Sequence, residues 1–161
     1  EGVAEWILEV REEAAGLRGL APEVHEAVGW LRESEALTAP YDGPLRLVHN
    51  DLRPDHVLLD PETGSLRGIL DWTDTALGDP TLDFVFLVTW GGWATAEAVL
   101  AAYEEVAAHK VDDAFRPRLD AMARTMSLHW LHEAKERGMG LEKHLGWVRN
   151  AFRTTPASDR R

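Results

Sequence analysis

The sequence contains no cysteine, three methionines, and no lysine before Lys110. Without cysteine, disulfides, thiolate zinc sites and cysteine nucleophiles are all excluded. The composition is compatible with a reducing compartment, and a cytoplasmic location is the expectation. No G-x-x-x-x-G-K-[ST] run occurs, so a P-loop is absent. Nor is there an H-E-x-x-H pair of zinc ligands, although His129 and His132 lie one helical turn apart. An excess of positive charge is missing too: 28 acids face 17 Lys and Arg, a net charge of -11. Nucleic acid is a poor partner for such a surface, because phosphates require a basic stripe. Long apolar runs are also lacking. The longest uncharged stretch lies between Asp83 and Glu97 and contains Gly91 and Gly92. It falls short of the roughly 20 apolar residues that span a bilayer. The opening EGVAEWILEVREE is acidic where a secretory signal is basic.

What is present is an ordinary globular mixture, 45% apolar and 28% charged over 161 residues, read as one domain covering 1–161. The charge is unevenly placed. Residues 1–44 carry ten acids against three bases, and residues 137–161 carry two acids against six bases. Such a field draws cationic small molecules. The alternative is a solvated acidic surface kept for solubility.

Helical periodicity comes first. Val3, Trp6, Ile7, Val10, Ala14 and Leu17 share one face over residues 3–17. A second helix begins at Pro22, which suits a first-turn position, and buries Val24, Ala27, Val28 and Leu31. TAPYDG (38–43) breaks the chain. From Leu45 the character becomes β-like: LRLV (45–48), HVLLD (56–60) and LRGILD (66–71) read as short strands. PETG (61–64) turns the last two into a hairpin, and residues 72–79 read as loop. Asp79-Pro80 predicts a helix N-cap followed by a first-turn proline. One helix is expected to about Trp90, ended by Gly91-Gly92, and another from a Thr95 cap to about Ala108. Leu119, Met122, Met126, Trp130 and Leu131 line a long helix over 116–136, terminated by Gly138 and Gly140. A short helix over 141–152 and a frayed tail TTPASDRR complete the chain. The expected class is α+β and mostly helical, with a small β-hairpin at its centre.

The chemistry concentrates in LVHNDLRPDHVLLDPETGSLRGILDWTDTALGDPTLDF (47–84). Polar clusters stand at the ends of neighbouring strands joined by a hairpin. That places Asp51, His56 and Asp71 at one edge of a small sheet. A carboxylate with an imidazole can hold a divalent ion, and a second carboxylate can accept a proton. Each residue alone has a structural alternative: Asp51 as a turn cap, His56 as a packed histidine, Asp71 as a loop cap. Their clustering favours a site.

HNDLRPDH (49–56) resembles the kinase catalytic loop H-R-D-L-x-x-x-x-N. LDWTD (70–74) sits where kinases carry D-F-G, and GDPTLDF (78–84) is similar to the G-D-P-x-x-D segment of aminoglycoside phosphotransferases and choline kinases. The likeness covers about residues 45–90. It implies the C-terminal lobe of a protein-kinase-like fold, in which the hairpin carries the catalytic and metal-binding loops. His56 replaces the usual Asn, as in macrolide phosphotransferases and a subgroup of the aminoglycoside enzymes.

The resemblance implies an ATP- (or GTP-) and Mg²⁺-dependent transfer of a γ-phosphoryl group to a hydroxyl of a small molecule. An aminoglycoside, a macrolide or a related metabolite is implied. Asp51 would then be the catalytic carboxylate, supported by His49 through a hydrogen bond to backbone. Arg53 would stabilise the transferred charge, with a solvent-facing arginine as the alternative. Asp71 would hold Mg²⁺ and bind the cofactor phosphates. His56 would complete the metal site directly or through water. Asp79 would act as a cap, and Asp83 would hold the catalytic loop by accepting hydrogen bonds. Trp90 and Trp93 are candidates for either a substrate groove or the core. A glycine-rich loop and strand lysine are not found before Asp51. The nucleotide-clamping N-terminal lobe is therefore expected to be missing from these 161 residues, which begin with Glu1, and the chain alone is expected to turn over slowly or not at all. The rival readings are a catalytically inactive kinase-like binding module and a metal-dependent hydrolase.

Overall fold

Two amphipathic helices open the chain, Gly2–Ala15 (α1) and Pro22–Glu33 (α2). Apolar residues spaced three and four apart put Ile7, Val10, Ala14 and Leu17 on the buried side of the first segment, and Val24, Ala27, Val28 and Leu31 on that of the second. Proline occupies the first turn of α2, as expected. The computed structural model describes residues 2–34, 41–107 and 110–153. Half of the TAPYDG break, the expected end at Ala108 and the tail after Arg153 lie outside the described residues.

The centre consists of two two-stranded antiparallel ladders. Val57–Leu59 (β2) pairs with Leu66–Ile69 (β3) in the expected hairpin, with Val57 opposite Ile69 and Leu58 opposite Gly68. Asp60 closes its turn by accepting hydrogen bonds from the backbone N–H of Thr63 at 2.8 Å and of Glu62 at 3.0 Å. The Arg67 guanidinium, first among these donors in effect, helps hold the Asp60 carboxyl down at about 2. The second ladder joins Arg46–Val48 (β1) to Ala76–Gly78 (β4). The 72–79 stretch is thus not all loop. Three residues, with Leu77 exposed and a glycine at the end, give too little alternation to be recognised as a strand. Their pairing is set by β1, with Arg46 opposite Gly78 and Val48 opposite Ala76.

Asp79 caps the next segment through its side chain, which accepts from the Thr81 N–H at 3.0 Å. The segment begins as a 3-10 turn, Pro80–Phe84, and continues as Val85–Val106 (α3). As expected, two helices meet here at the glycine pair, and α3 names both across the break. Gly92 has φ 76 and ψ 171, a conformation essentially confined to glycine. Across this break Asn150 donates from its side-chain amide to the carbonyls of Thr89 (2.9 Å) and Trp90 (3.3 Å). Thr95 does not start a helix; its hydroxyl donates back to the Gly91 carbonyl at 2.8 Å. By length and composition Pro80–Val106 would also suffice to cross a membrane. In the fold, its Val85, Val88, Ala96 and Leu100 are core residues packed with Phe115, Leu119 and Ala123.

Phe115–Glu136 (α4) and Glu142–Phe152 (α5) complete the helical layer. One core joins α1, α2, α4 and α5 around Val10, Leu31, Leu128, Leu131 and Val148. The other joins α3 to α4 around Phe84, Leu100 and Phe115. Phe152 packs against both, which makes them one framework under the central strands. His129 donates from Nδ1 to the Glu13 carboxylate at 3.0 Å, which ties α4 to α1. The fold class is as expected: mostly helical with small antiparallel sheets. Replacing Gly92 by alanine is expected to cost about 1–3 kcal/mol in denaturant unfolding; unchanged stability would show that the kink needs no glycine.

Candidate functional site

Both loops of interest turn through left-handed backbone. Asn50 has φ 65 and Asp71 has φ 58, and Asn and Asp are the non-glycine residues that tolerate this region best. The first turn is held by Asp83, whose carboxylate accepts from the N–H of His49 (3.1 Å) and of Asn50 (2.8 Å). The expectation that Asp83 grips the 49–56 loop agrees with this geometry.

His49 is buried, and its two ring nitrogens have distinct partners. Nε2 lies 2.8 Å from the Leu70 carbonyl, which can only accept, so this nitrogen carries the proton. Nδ1 then accepts from the Asp51 N–H at 3.3 Å. One imidazole therefore joins the residue before Asp71 to the backbone of Asp51. The Trp72 ring packs on it at 4.8 Å, with its indole N–H donated to the Ile69 carbonyl at 2.9 Å.

His56 is the second link. Its Nδ1 donates to the Asp51 carbonyl at 2.9 Å and lies 3.5 Å from the Asp51 carboxylate. Its Nε2 accepts from the Arg53 guanidinium at 3.0 Å and lies 3.9 Å from an Asp71 carboxylate oxygen. With Nδ1 as donor, the Nε2 lone pair is taken by the Arg53 N–H. The imidazole thus stands between the two carboxylates. Arg53 does not simply face solvent, since its Nε is also 3.3 Å from Asp51. All five expected site residues, His49, Asp51, Arg53, His56 and Asp71, are linked in this one constellation.

Among the described residues no three metal-ligating side chains form a ready-made cage. A hard cation such as Mg²⁺ is typically held by one or two carboxylates together with phosphates and water. The Asp71 carboxylate is half exposed. Thr73, which sequence reasoning passed over, donates its hydroxyl to this carboxylate and holds it below the usual carboxylate range. Only its position two residues after an aspartate hinted at this.

An apolar cavity of about 280 Å³ adjoins the loop, lined by Leu52, Pro54, Val57, Phe86 and Trp90, with Arg53 at its edge. Trp90 is thus a pocket residue. Trp93 instead packs against the core around Phe84 and Phe115.

The family described as "Phosphotransferase enzyme family" matches residues 3–136. YcbJ of Bacillus subtilis (strain 168), an uncharacterized protein, is 37% identical over 67 residues, 42% of this chain and 22% of its own length. Acyl-CoA dehydrogenase family member 11 of Gallus gallus is 28% identical over 79 residues, 49% of this chain and 10% of its own. Among solved structures, the GDP complex of aminoglycoside 2'-phosphotransferase-IIIa superposes with a TM-score of 0.62 at 21% identity, covering 94% of this chain and 52% of that one. Macrolide 2'-phosphotransferase type I gives 0.54 at 20% identity, covering 92% and 48%. The chain therefore spans about half of these solved chains and under a quarter of the curated relatives. The structural likeness is one of fold: these residues share the architecture of the matching part of those two phosphotransferases.

Replacing Thr73 by valine removes the donor that favours ionised Asp71. The Asp71 carboxyl is then expected to titrate at higher pH, read by carboxyl-carbon NMR; an unmoved midpoint would contradict the assigned hydrogen bond.

Proposed function

This chain belongs to the phosphotransferase enzyme family, and from that premise we propose that it carries the catalytic loop of an ATP- or GTP-dependent small-molecule O-kinase. The observation that carries the reading is the single His56 imidazole set between the Asp51 and Asp71 carboxylates. In this reading Asp51 orients the acceptor hydroxyl and receives its proton. Phosphoryl transfer relies mainly on positioning and charge neutralisation, so alignment matters more than early deprotonation. Asp71, with His56 at Nε2, would hold Mg²⁺, which when bound neutralises phosphate charge. Binding there requires Arg53 to leave Nε2, and a released guanidinium is suited to the oxygens of the transferred phosphoryl group.

The apolar cavity beside Leu52 and Arg53 favours an acceptor with a hydroxyl on an apolar body. The aminoglycoside and macrolide enzymes of similar fold make small-molecule acceptors a natural class. The net charge of -11 supports a cationic group on the acceptor as well. A clamp over the nucleotide is not found among the described residues, since the first lysine is Lys110. Such a clamp belongs, in this reading, to polypeptide outside these 161 residues. By itself the chain should bind nucleotide weakly and transfer phosphate slowly or not at all.

In a polypeptide that includes the clamp, Asp51→Ala is expected to lower kcat by about 10²–10⁴-fold while leaving the unfolding transition nearly unchanged. Acceptor phosphorylation, followed by mass spectrometry, is the readout. Normal turnover in the variant would remove Asp51 from the mechanism. Robust ATP-dependent phosphorylation by the 161-residue chain alone would overturn the need for a clamp.

A further inference from the structure

Arg118, on α4, lies outside the catalytic constellation, yet it gathers three segments that converge below it. Its Nε donates to Asp79 at 2.8 Å, and a terminal nitrogen reaches the other Asp79 oxygen at 3.4 Å. Two further bonds go to Asp112, at 2.7 and 3.0 Å. The guanidinium stacks on the Tyr41 ring, 4.6 Å from its centroid. Both Arg118 and Asp79 are largely shielded, with 22% and 15% of their side chains exposed, so this pair is less screened than the surface pairs of α4.

The position of Asp79 gives the contact its meaning. It directly follows Gly78, the end of β4, and directly precedes Pro80, the start of the 3-10 turn. Both neighbours hold the stem of the catalytic loop. β4 pairs with β1, whose last residue, Val48, immediately precedes His49. The 3-10 turn carries Asp83, the acceptor for the His49 and Asn50 amides. A pin on Asp79 therefore fixes both grips on the segment that presents Asp51. The Asp79 carboxylate is already committed at Oδ1 to the Thr81 N–H, so the Arg118 bond locks a cap whose direction is set.

We infer that Arg118 is a positioning residue for the catalytic loop, acting through Asp79 on the β4 ladder and on Asp83. The inference rests on Asp51 being the working carboxylate, but its physical content is a coupling between α4 and residues 49–50. That coupling is measurable without turnover. It separates Arg118 from an ordinary stabilising ion pair, for which the Asp112 half of the network serves as the internal control.

The test is hydrogen exchange of the full chain, read at the His49 and Asn50 amides. Arg118→Gln is expected to speed their exchange about tenfold or more, with Val148 in the helical core unchanged, because only the local opening becomes easier. Arg118→Lys, which keeps one donor for Asp79, should restore part of the protection. Asp112→Asn, which leaves the Asp79 bond in place, should leave both amides near wild type. Should Arg118→Gln fail to fold, Asp79→Asn gives the same reading, since it keeps an oxygen for the Thr81 N–H. The inference is overturned if exchange at His49 and Asn50 is unchanged in the Asp79-directed variant. It is equally overturned if Asp112→Asn accelerates them as much, or if core amides accelerate in parallel. In a turnover-competent polypeptide, Arg118→Gln should lower kcat with KM for both substrates unchanged. Absence of transfer in the wild type would count against the proposed activity, and the exchange result would still decide the role of Arg118.

Discussion

The buried imidazole of His49 is the constraint on which the site depends. It donates to the Leu70 carbonyl and accepts from the Asp51 N–H, so two loops from different strands share one rigid ring. Neither sheet could impose that relation. Each has two strands of three or four residues, well below what stands alone in water. Individually the bonds are modest, about 0.5–1.5 kcal/mol net. Breaking one from a buried partner costs more, because the orphaned group has no water to turn to. The ring therefore acts as a spacer whose loss would separate the Asp51 and Asp71 loops.

Around that spacer the arrangement is layered. Asp83 holds the start of the loop in a left-handed turn at Asn50, and the Thr73 hydroxyl keeps the Asp71 carboxyl below its ordinary range. His56 then fills the space between the two acids, with Nδ1 committed to the Asp51 carbonyl and Nε2 to the Arg53 guanidinium, 3.9 Å from Asp71. The helical framework beneath is largely independent of this. Its two cores meet at Phe152, and the kink at Gly92 sets the first half of α3, with Trp90, beside the apolar cavity.

Much of this was legible in the sequence, and the reasons differ by element. The helices of the first and last thirds were readable because their apolar spacing persists over several turns. The hairpin was readable because PETG punctuates it. The loop motif named Asp51, His56 and Asp71 together, and in the structure the His56 imidazole lies between the two carboxylates. β4 was not legible, because Ala76–Gly78 acquires its identity from β1. The break at Gly92 was legible from the glycine pair, but the Thr95 cap was not there: its hydroxyl turns back to the Gly91 carbonyl. The tautomer of His56, the inward turn of Arg53 and the pin from Arg118 to Asp79 depend on contacts distant in sequence. No local pattern announces them.

The central claim is that Asp71 and His56 face one cation-accepting space beside Asp51. Manganese(II), a paramagnetic stand-in for magnesium, tests it directly when titrated with a non-hydrolysable ATP analogue into chain labelled at histidine. The account predicts that the His56 ring resonances broaden first, that His49 follows, and that Asp71→Asn abolishes the effect. Broadening confined to the acidic helices of residues 1–44, with His56 unaffected at saturation, would contradict it.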